Sequence, residues 1–242
     1  MKSNARPAFY ALSSGGWRDY VTLLHLPFTL CHLSYGVLGA AAAATVHLDR
    51  VGWVVLAFFL AVGLAAHALD ELNGRPLGTR IPDGALLIIA ASSLAGALTI
   101  GAYAALVISL WTLAFVSFGV FIVLAYNLEF WGGMFHSDLW FGISWGAFPA
   151  LAGYWANMER LDVQVALIAS ACLVLSLAQR ALSKQARKLR RSAQSVSGGI
   201  KYKDGSIESI TISSLIAVPE LTLKLLGLSI SLLALGWLVA RL

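Results

Sequence analysis

The residues best suited to chemistry lie together at the end of a long apolar run. His67, Asp70 and Glu71 are spaced at i, i+3 and i+4, so on a helix all three project from one face. Ionisable groups at the end of a membrane helix are costly unless they bind something. An imidazole and two carboxylates suit a metal ion, or an anionic head group held through one. We therefore predict a catalytic, metal-binding cluster here. The alternative is that these residues only mark the helix end at the interface.

A polar turn follows this cluster directly. Asn73, Arg75 and Arg80 lie within it. A guanidinium grips phosphate oxygens through two parallel hydrogen bonds, and an amide can orient a ligand. We predict that these three residues bind substrate.

A second dense polar stretch spans residues 126–149. Gly132-Gly133 breaks the helix after Glu129, and Asp138 stands where the next span begins. Asp138 could serve only as a helix cap, whereas Glu129 and His136 are of types that cap poorly. We predict Glu129, His136 and Asp138 as further metal ligands.

Aromatic residues crowd the same stretch. Trp131, Trp140 and Trp145 could form an interfacial belt, or could line a pocket for an apolar chain and shield a carbocation. Tyr126 and Asn127 are predicted to contact substrate in that pocket.

Two histidines share one face of the first apolar run. His25 and His32 are seven residues apart, about two helical turns. Each could make a hydrogen bond between helices or could reach the cavity.

The composition is that of an integral membrane protein. Of 242 residues, 59% are hydrophobic and 12% are charged, and the mean hydropathy is +0.78. Soluble domains carry about 25% charged residues. Cys31 and Cys172 both fall inside apolar runs, so no disulfide framework is expected. The excess of positive charge follows from topology, described next, and gives no indication of nucleic-acid binding.

A transmembrane helix needs about 20 mostly apolar residues. The hydropathy pattern predicts an all-α bundle of about seven such helices. The predicted spans are 20–45, 51–70, 84–103, 106–126, 137–156, 161–182 and 222–240.

The basic residues predict a cytoplasmic N-terminus. Only Arg50, Arg160 and Arg241 fall in outside segments, and almost all other Lys and Arg residues, Lys2 included, fall inside. This orientation brings three polar segments, 67–83, 126–138 and 180–203, to the cytoplasmic side. We expect a multi-pass protein of a prokaryotic-type plasma membrane.

The predicted organisation has four parts. A cytoplasmic segment at 1–19, with no signal-peptide pattern, precedes a membrane core at 20–182. A basic loop and interfacial segment at 183–221 leads to a final helix at 222–242. Residues Arg180, Lys184 and Arg187 could act as a stop signal that contacts anionic lipid, or could bind a substrate phosphate.

Three regions resemble the UbiA-type intramembrane prenyltransferase superfamily over about the first 180 residues. The stretch 26–39, with Leu-Pro-Phe-Thr and two later glycines, is similar to the family's first helix. The stretch 70–81 resembles the end of its first Asp-rich motif, with Asp70 and the Arg75-Pro76-Leu77 turn. Residues 126–154 resemble its fourth-to-fifth helix region.

The resemblance implies a helical bundle whose central cavity opens to the cytoplasm and lipid. It also implies transfer of an isoprenoid chain from a diphosphate donor, with Mg²⁺ bridging two Asp-rich motifs. This chain carries Val62 and Ala66 at the earlier positions of the first motif. Where the second motif would fall it carries Gln179, Arg180, Ser183 and Arg187, none of them acidic.

Three functions therefore stay open. The first is a UbiA-like enzyme that transfers or processes a polyprenyl diphosphate. The second is a membrane enzyme that acts on a lipid through a His/carboxylate site for Fe, Mn or Zn, as in a di-iron oxidase. The third is a non-catalytic lipid-binding protein or a subunit with a membrane-protein partner.

Overall fold

A computed structural model describes residues 6–242, so Lys2 of the topology argument lies outside the described residues. This part of the chain is mostly helical. The helices are α1 (Trp17–Leu23), α2 (Leu26–Ala41), α3 (Leu48–Phe58), α4 (His67–Leu72), α5 (Asp83–Val107), α6 (Thr112–Asn127), α7 (Phe130–Gly133), α8 (Asp138–Phe141), α9 (Phe148–Met158), α10 (Val163–Ser192) and α11 (Ile212–Val239). Two short strands, β1 (Gly199–Lys201) and β2 (Ile207–Ser209), form an antiparallel hairpin between α10 and α11.

Within residues 6–242, four helical segments are long and apolar enough to cross a membrane: Leu48–Leu72, Asp83–Val107, Val163–Ser192 and Ile212–Val239. A fifth is counted if α1 and α2, which meet at a bend of 41°, form one broken span. The mostly helical class is thus confirmed, and so is the presence of four or five apolar helices that could span a membrane. Seven spans and their orientation stay predictions, because α6 is a shorter apolar helix of 16 residues.

Two helices contain π-helical segments. Phe59–Ala66 joins α3 to α4, and Gly142–Ala147 joins α8 to α9 without a break. A π segment widens the helix by one residue per turn and is frequent at functional sites. Each segment contributes a residue to the polar cavity described below, Ala66 from the first and Trp145 from the second.

Small residues bring α2 and α9 into close contact. A Cβ atom placed on Gly39 would collide with the backbone of Ala150, and one on Gly153 would collide with the carbonyl of Gly36. Close backbone approach through glycine is the usual way in which membrane helices pack, because lipid offers no hydrophobic drive for association. The α2–α9 pair therefore forms the centre of the bundle.

The first and last long helices also contact each other. Ser34 on α2 donates a hydrogen bond to Ser231 on α11 at 3.1 Å, and Ile230 and Ala234 join the core cluster around Tyr35. The C-terminal helix is thereby part of the bundle core.

The helices extend further than the sequence pattern indicated. α10 continues through the basic residues to Ser192, and α11 begins at Ile212, where Thr211 and Ser214 form a capping box. The predicted basic segment 183–221 therefore contains two helix ends with the hairpin between them. Basic residues in the last turn of α10 favour its extension, since they complement the helix dipole.

Candidate functional site

A polar cavity of about 130 Å³ lies where the ends of several helices meet the N-terminal segment. It is lined by residues from 7–10, α2, α4, α6, α8, α10 and α11. Nine of the predicted site residues line it together: His25, His32, His67, Asp70, Tyr126, Asn127, His136, Arg180 and Arg187.

Asp70 is the acidic residue of the predicted cluster that faces this cavity. It lies one turn after His67 on α4. Its carboxylate makes no hydrogen bond or ion pair with any of residues 6–242, while Arg187, Arg191 and His136 lie near enough to act on its charge. Asp70 is therefore free to accept a proton or a hydrogen bond from a ligand.

The cavity contains an unusual number of histidines. The rings of His25 and His67 stack with centroids 4.0 Å apart, and His25 has a left-handed backbone (φ 46°) at the joint between α1 and α2. His67 Nδ1 lies 3.2 Å from the Gly63 carbonyl and donates to it in that tautomer, which leaves Nε2 as an acceptor. His32 is 4% exposed, and neither of its ring nitrogens has a partner within the described residues.

His136 is held against Tyr126. The two rings stack at 4.4 Å, and His136 Nδ1 lies 3.1 Å from the Tyr126 carbonyl. The Tyr126 hydroxyl and Gln179 Oε1 are buried and without partners among residues 6–242. Buried polar atoms rarely stay unpaired in native proteins, so a polar ligand or water in the cavity would satisfy these two oxygens.

Arginines on one face of α10 form the basic wall of the cavity. Arg180, Arg187 and Arg191 follow at i, i+7 and i+11, and all three line it. The Arg180 guanidinium lies 4.8 Å from the ring centre of Phe141 and bonds Asp138 at 2.8 Å. Arg187 donates its Nε to the Ser183 carbonyl at 3.3 Å, and its terminal nitrogens have no partner among residues 6–242.

Glu71 has a structural role that its spacing did not reveal. It is 1% exposed, and its carboxylate accepts the backbone N–H groups of Leu77 at 3.0 Å and Thr79 at 2.8 Å. It holds the 73–82 turn in place and does not line the cavity.

The other residues of this turn are also engaged within the protein. Arg75 donates to the carbonyls of Thr79 at 3.2 Å and Ile81 at 2.6 Å and pairs with Asp83. Asn73 donates to the Asn127 carbonyl at 3.2 Å. Arg80 is exposed, and like Asn73 and Arg75 it does not line the cavity.

The six predicted metal ligands do not form one set. Asp138 pairs with Arg180 and with Lys184, which are 2.8 and 3.3 Å away, and it is exposed, as is Lys184. Glu129 lies 3.8 Å from His136 and does not line the cavity. Residues 6–242 contain no group of three or more His, Cys, Asp or Glu side chains placed to hold a metal ion.

The N-terminal segment is a part of the site that the sequence did not indicate. Phe9 and Tyr10 line the cavity, and the Tyr10 ring lies 5.2 Å from that of His25. Arg190 and Arg191 donate to the carbonyls of Arg6 and Pro7, each at 3.4 Å. Burial raises the pKa of the Tyr10 hydroxyl above its ordinary value, so this hydroxyl stays protonated. A segment this short carries no helical or strand periodicity, which explains the omission.

A second, apolar cavity of about 360 Å³ lies between α3, α5, α6 and α9. Its walls include Trp53, Phe115 and Phe148, and its mouth includes Arg50. Arg50 pairs there with Glu159 at 3.5 Å and with the Ala156 carbonyl at 2.8 Å. Its walls suit a hydrocarbon chain rather than a charged group.

Comparisons of this chain with protein-family models, with curated proteins and with solved structures returned no match.

Proposed function

We propose that this protein binds a polyprenyl diphosphate with its head group in the polar cavity and transfers or processes it, as UbiA-type prenyltransferases do. The observation that carries the proposal is the cavity itself. It combines the unpaired Asp70 carboxylate, the arginine face of α10 and aromatic rings inside a bundle of apolar helices.

The donor set argues against the two-motif Mg²⁺ site that the resemblance implies. Two carboxylates line the cavity, and Asp70 is the one without a partner among residues 6–242, because Glu220 pairs with Arg190. Glu71 lies outside the cavity and is held by backbone amides. A bridge between two Asp-rich motifs needs several free carboxylates. No step of the proposed reaction is therefore routed through a metal.

In the proposed reaction, the bond between C1 of the isoprenoid and its diphosphate oxygen breaks, and the electron pair leaves with the diphosphate. The guanidinium groups of α10 stabilise the charge that develops on that leaving group. The aromatic residues Tyr126, Phe141 and Trp145, which line the cavity, provide electron-rich rings near the cationic carbon. A nucleophilic acceptor attacks this carbon, and Asp70 takes the proton that the acceptor releases.

Turnover of geranylgeranyl diphosphate by the purified protein, with membrane lipid extract as the acceptor source, tests this proposal. We expect diphosphate release from the wild type and a loss of about 10²- to 10⁴-fold in Asp70→Asn, the usual contribution of a general base. Asp83→Asn is the matched control, since Asp83 is an exposed acid outside the cavity. Equal rates in wild type and Asp70→Asn would contradict the role of Asp70.

A non-catalytic lipid-binding protein is the second candidate. It is favoured by the engagement of Glu71, Arg75 and Asp138 in contacts within the protein. The same assay separates the two functions, because this candidate binds the diphosphate lipid without releasing diphosphate.

A further inference from the structure

The charges around the polar cavity differ from those of a metal-bridged diphosphate site. Four arginines and two acids line it, so positive charge is in excess when the histidines are neutral. A site that relies on divalent cations places carboxylates around the ion and obtains its positive charge from the metal. Here the protein supplies the positive charge itself.

The ion pairs then decide which arginines are free for a ligand. Arg190 is fully engaged, because its Nε and a terminal nitrogen bond both oxygens of Glu220 at 2.5 and 2.8 Å. Arg180 gives its Nε to Asp138. Arg187 and Arg191 have no acidic partner within residues 6–242, and they contact only the Ser183 and Pro7 carbonyls through Nε.

Arg187 and Arg191 are also placed to act together. They are four residues apart on α10, hence neighbours on one face, and both line the cavity. Two guanidinium forks side by side match the oxygens of a diphosphate, since each can bond two oxygens at once. Such binding needs the terminal nitrogens of Arg187 and Arg191, and these nitrogens have no partners among residues 6–242.

We propose that this cavity holds the diphosphate through Arg187 and Arg191 without a divalent cation. This inference rests on the proposed function. It assigns Asp70 to proton transfer and not to head-group binding, because a carboxylate beside the phosphates repels them when no metal lies between. The affinity of Asp70→Asn for the diphosphate therefore distinguishes a metal-free site from a metal-bridged site.

The test measures binding of farnesyl diphosphate to the full-length protein in detergent, once with excess Mg²⁺ and once with excess EDTA. We expect the two affinities to agree within about threefold, a difference below 1 kcal/mol. Arg187→Gln should weaken binding about 10- to 100-fold in both conditions, as expected for lost hydrogen bonds to a charged group. Asp70→Asn should leave the affinity equal or raise it.

Three controls make the result specific. Lys188→Gln removes the same charge from the next residue of α10, which is exposed and outside the cavity, and should not change binding. Arg187→Lys keeps the charge without the forked guanidinium, so its affinity for farnesyl diphosphate should lie between those of the wild type and Arg187→Gln. Size-exclusion profiles and melting temperatures check that the variants fold alike. Farnesol, which lacks phosphates, should bind without dependence on Arg187.

The outcomes separate the inference from the function on which it rests. Binding that requires Mg²⁺, disappears in EDTA and is lost in Asp70→Asn would overturn the metal-free grip and leave the proposed function standing. Absence of farnesyl diphosphate binding to the wild type in both conditions would overturn both.

Discussion

Asp70 and Glu71 are adjacent in sequence and of similar chemistry, yet their surroundings give them different roles. Asp70 faces the cavity without a partner among residues 6–242, whereas Glu71 accepts two backbone amides of the following turn. The helix turns by about 100° per residue, so neighbours in the chain face different directions. We therefore expect a substitution of Asp70 to lower activity and a substitution of Glu71 to lower stability.

Glu71→Gln should destabilise the protein by about 1–3 kcal/mol, because the amide nitrogen cannot accept one of the two backbone N–H groups. The free energy of unfolding in mixed detergent micelles measures this. Glu159→Gln is the matched control, an exposed ion-paired glutamate for which less than about 1 kcal/mol is expected. An unchanged unfolding free energy in Glu71→Gln would contradict the structural role.

The sequence identified the residue types of the site well but not their partners. Ionisable side chains in an apolar context indicated His67, Asp70 and Arg187, and the aromatic stretch indicated Tyr126; all four line the cavity. Spacing could not distinguish Asp70 from Glu71, because i+3 and i+4 lie on the two flanks of residue i on an ideal helix, so either carboxylate could share a site with His67. The orientation of Glu71 depends on the turn that wraps back over it, a tertiary contact.

At the scale of elements, the crossing of α2 and α9 determines how closely the bundle packs. Gly39 and Gly153 each lie against backbone of the other helix, so neither position has space for a methyl group. Gly39 and Gly153 can be identified in the sequence, but no sequence pattern predicts that α2 and α9 pack against each other. Because the apolar helices have similar hydropathy, the sequence does not indicate which helices pack against each other.

Gly39→Ala should lower the free energy of unfolding by about 1–3 kcal/mol, since the added methyl group must push the two helices apart. Gly52→Ala is the control, because Gly52 is also helical but has no atom within 4 Å of a new Cβ. It should leave stability unchanged or raise it slightly, as alanine favours helix. Equal stability of the two variants would mean that α2 and α9 do not meet as closely as described.

At the scale of the whole molecule, the membrane character of the chain could be predicted and its detailed topology could not. Hydropathy identified the four long spans because a run of about 20 apolar residues is hard to mistake. The bend of 41° between α1 and α2 could not be predicted in the same way, since hydropathy carries no information on backbone geometry.

The predicted orientation can be tested with single cysteines. Ser197 and Thr45 are both exposed, while Cys31 and Cys172 are about 1% exposed and give little background. With a cytoplasmic N-terminus, a membrane-impermeant maleimide should label Thr45→Cys in intact cells and Ser197→Cys only after permeabilisation. The reverse pattern would refute the orientation drawn from the basic residues.

The contact between α2 and α11 has a consequence for biosynthesis. The ribosome synthesises α2 long before α11, yet Ser34 and Ser231 are in contact in the folded protein. The basic wall of α10 and its Arg190–Glu220 pair are also completed only when α11 arrives. Before α11 is synthesised, the face of α2 that carries Ser34 therefore lacks its partner helix, and the cavity lacks Glu220 and Leu223.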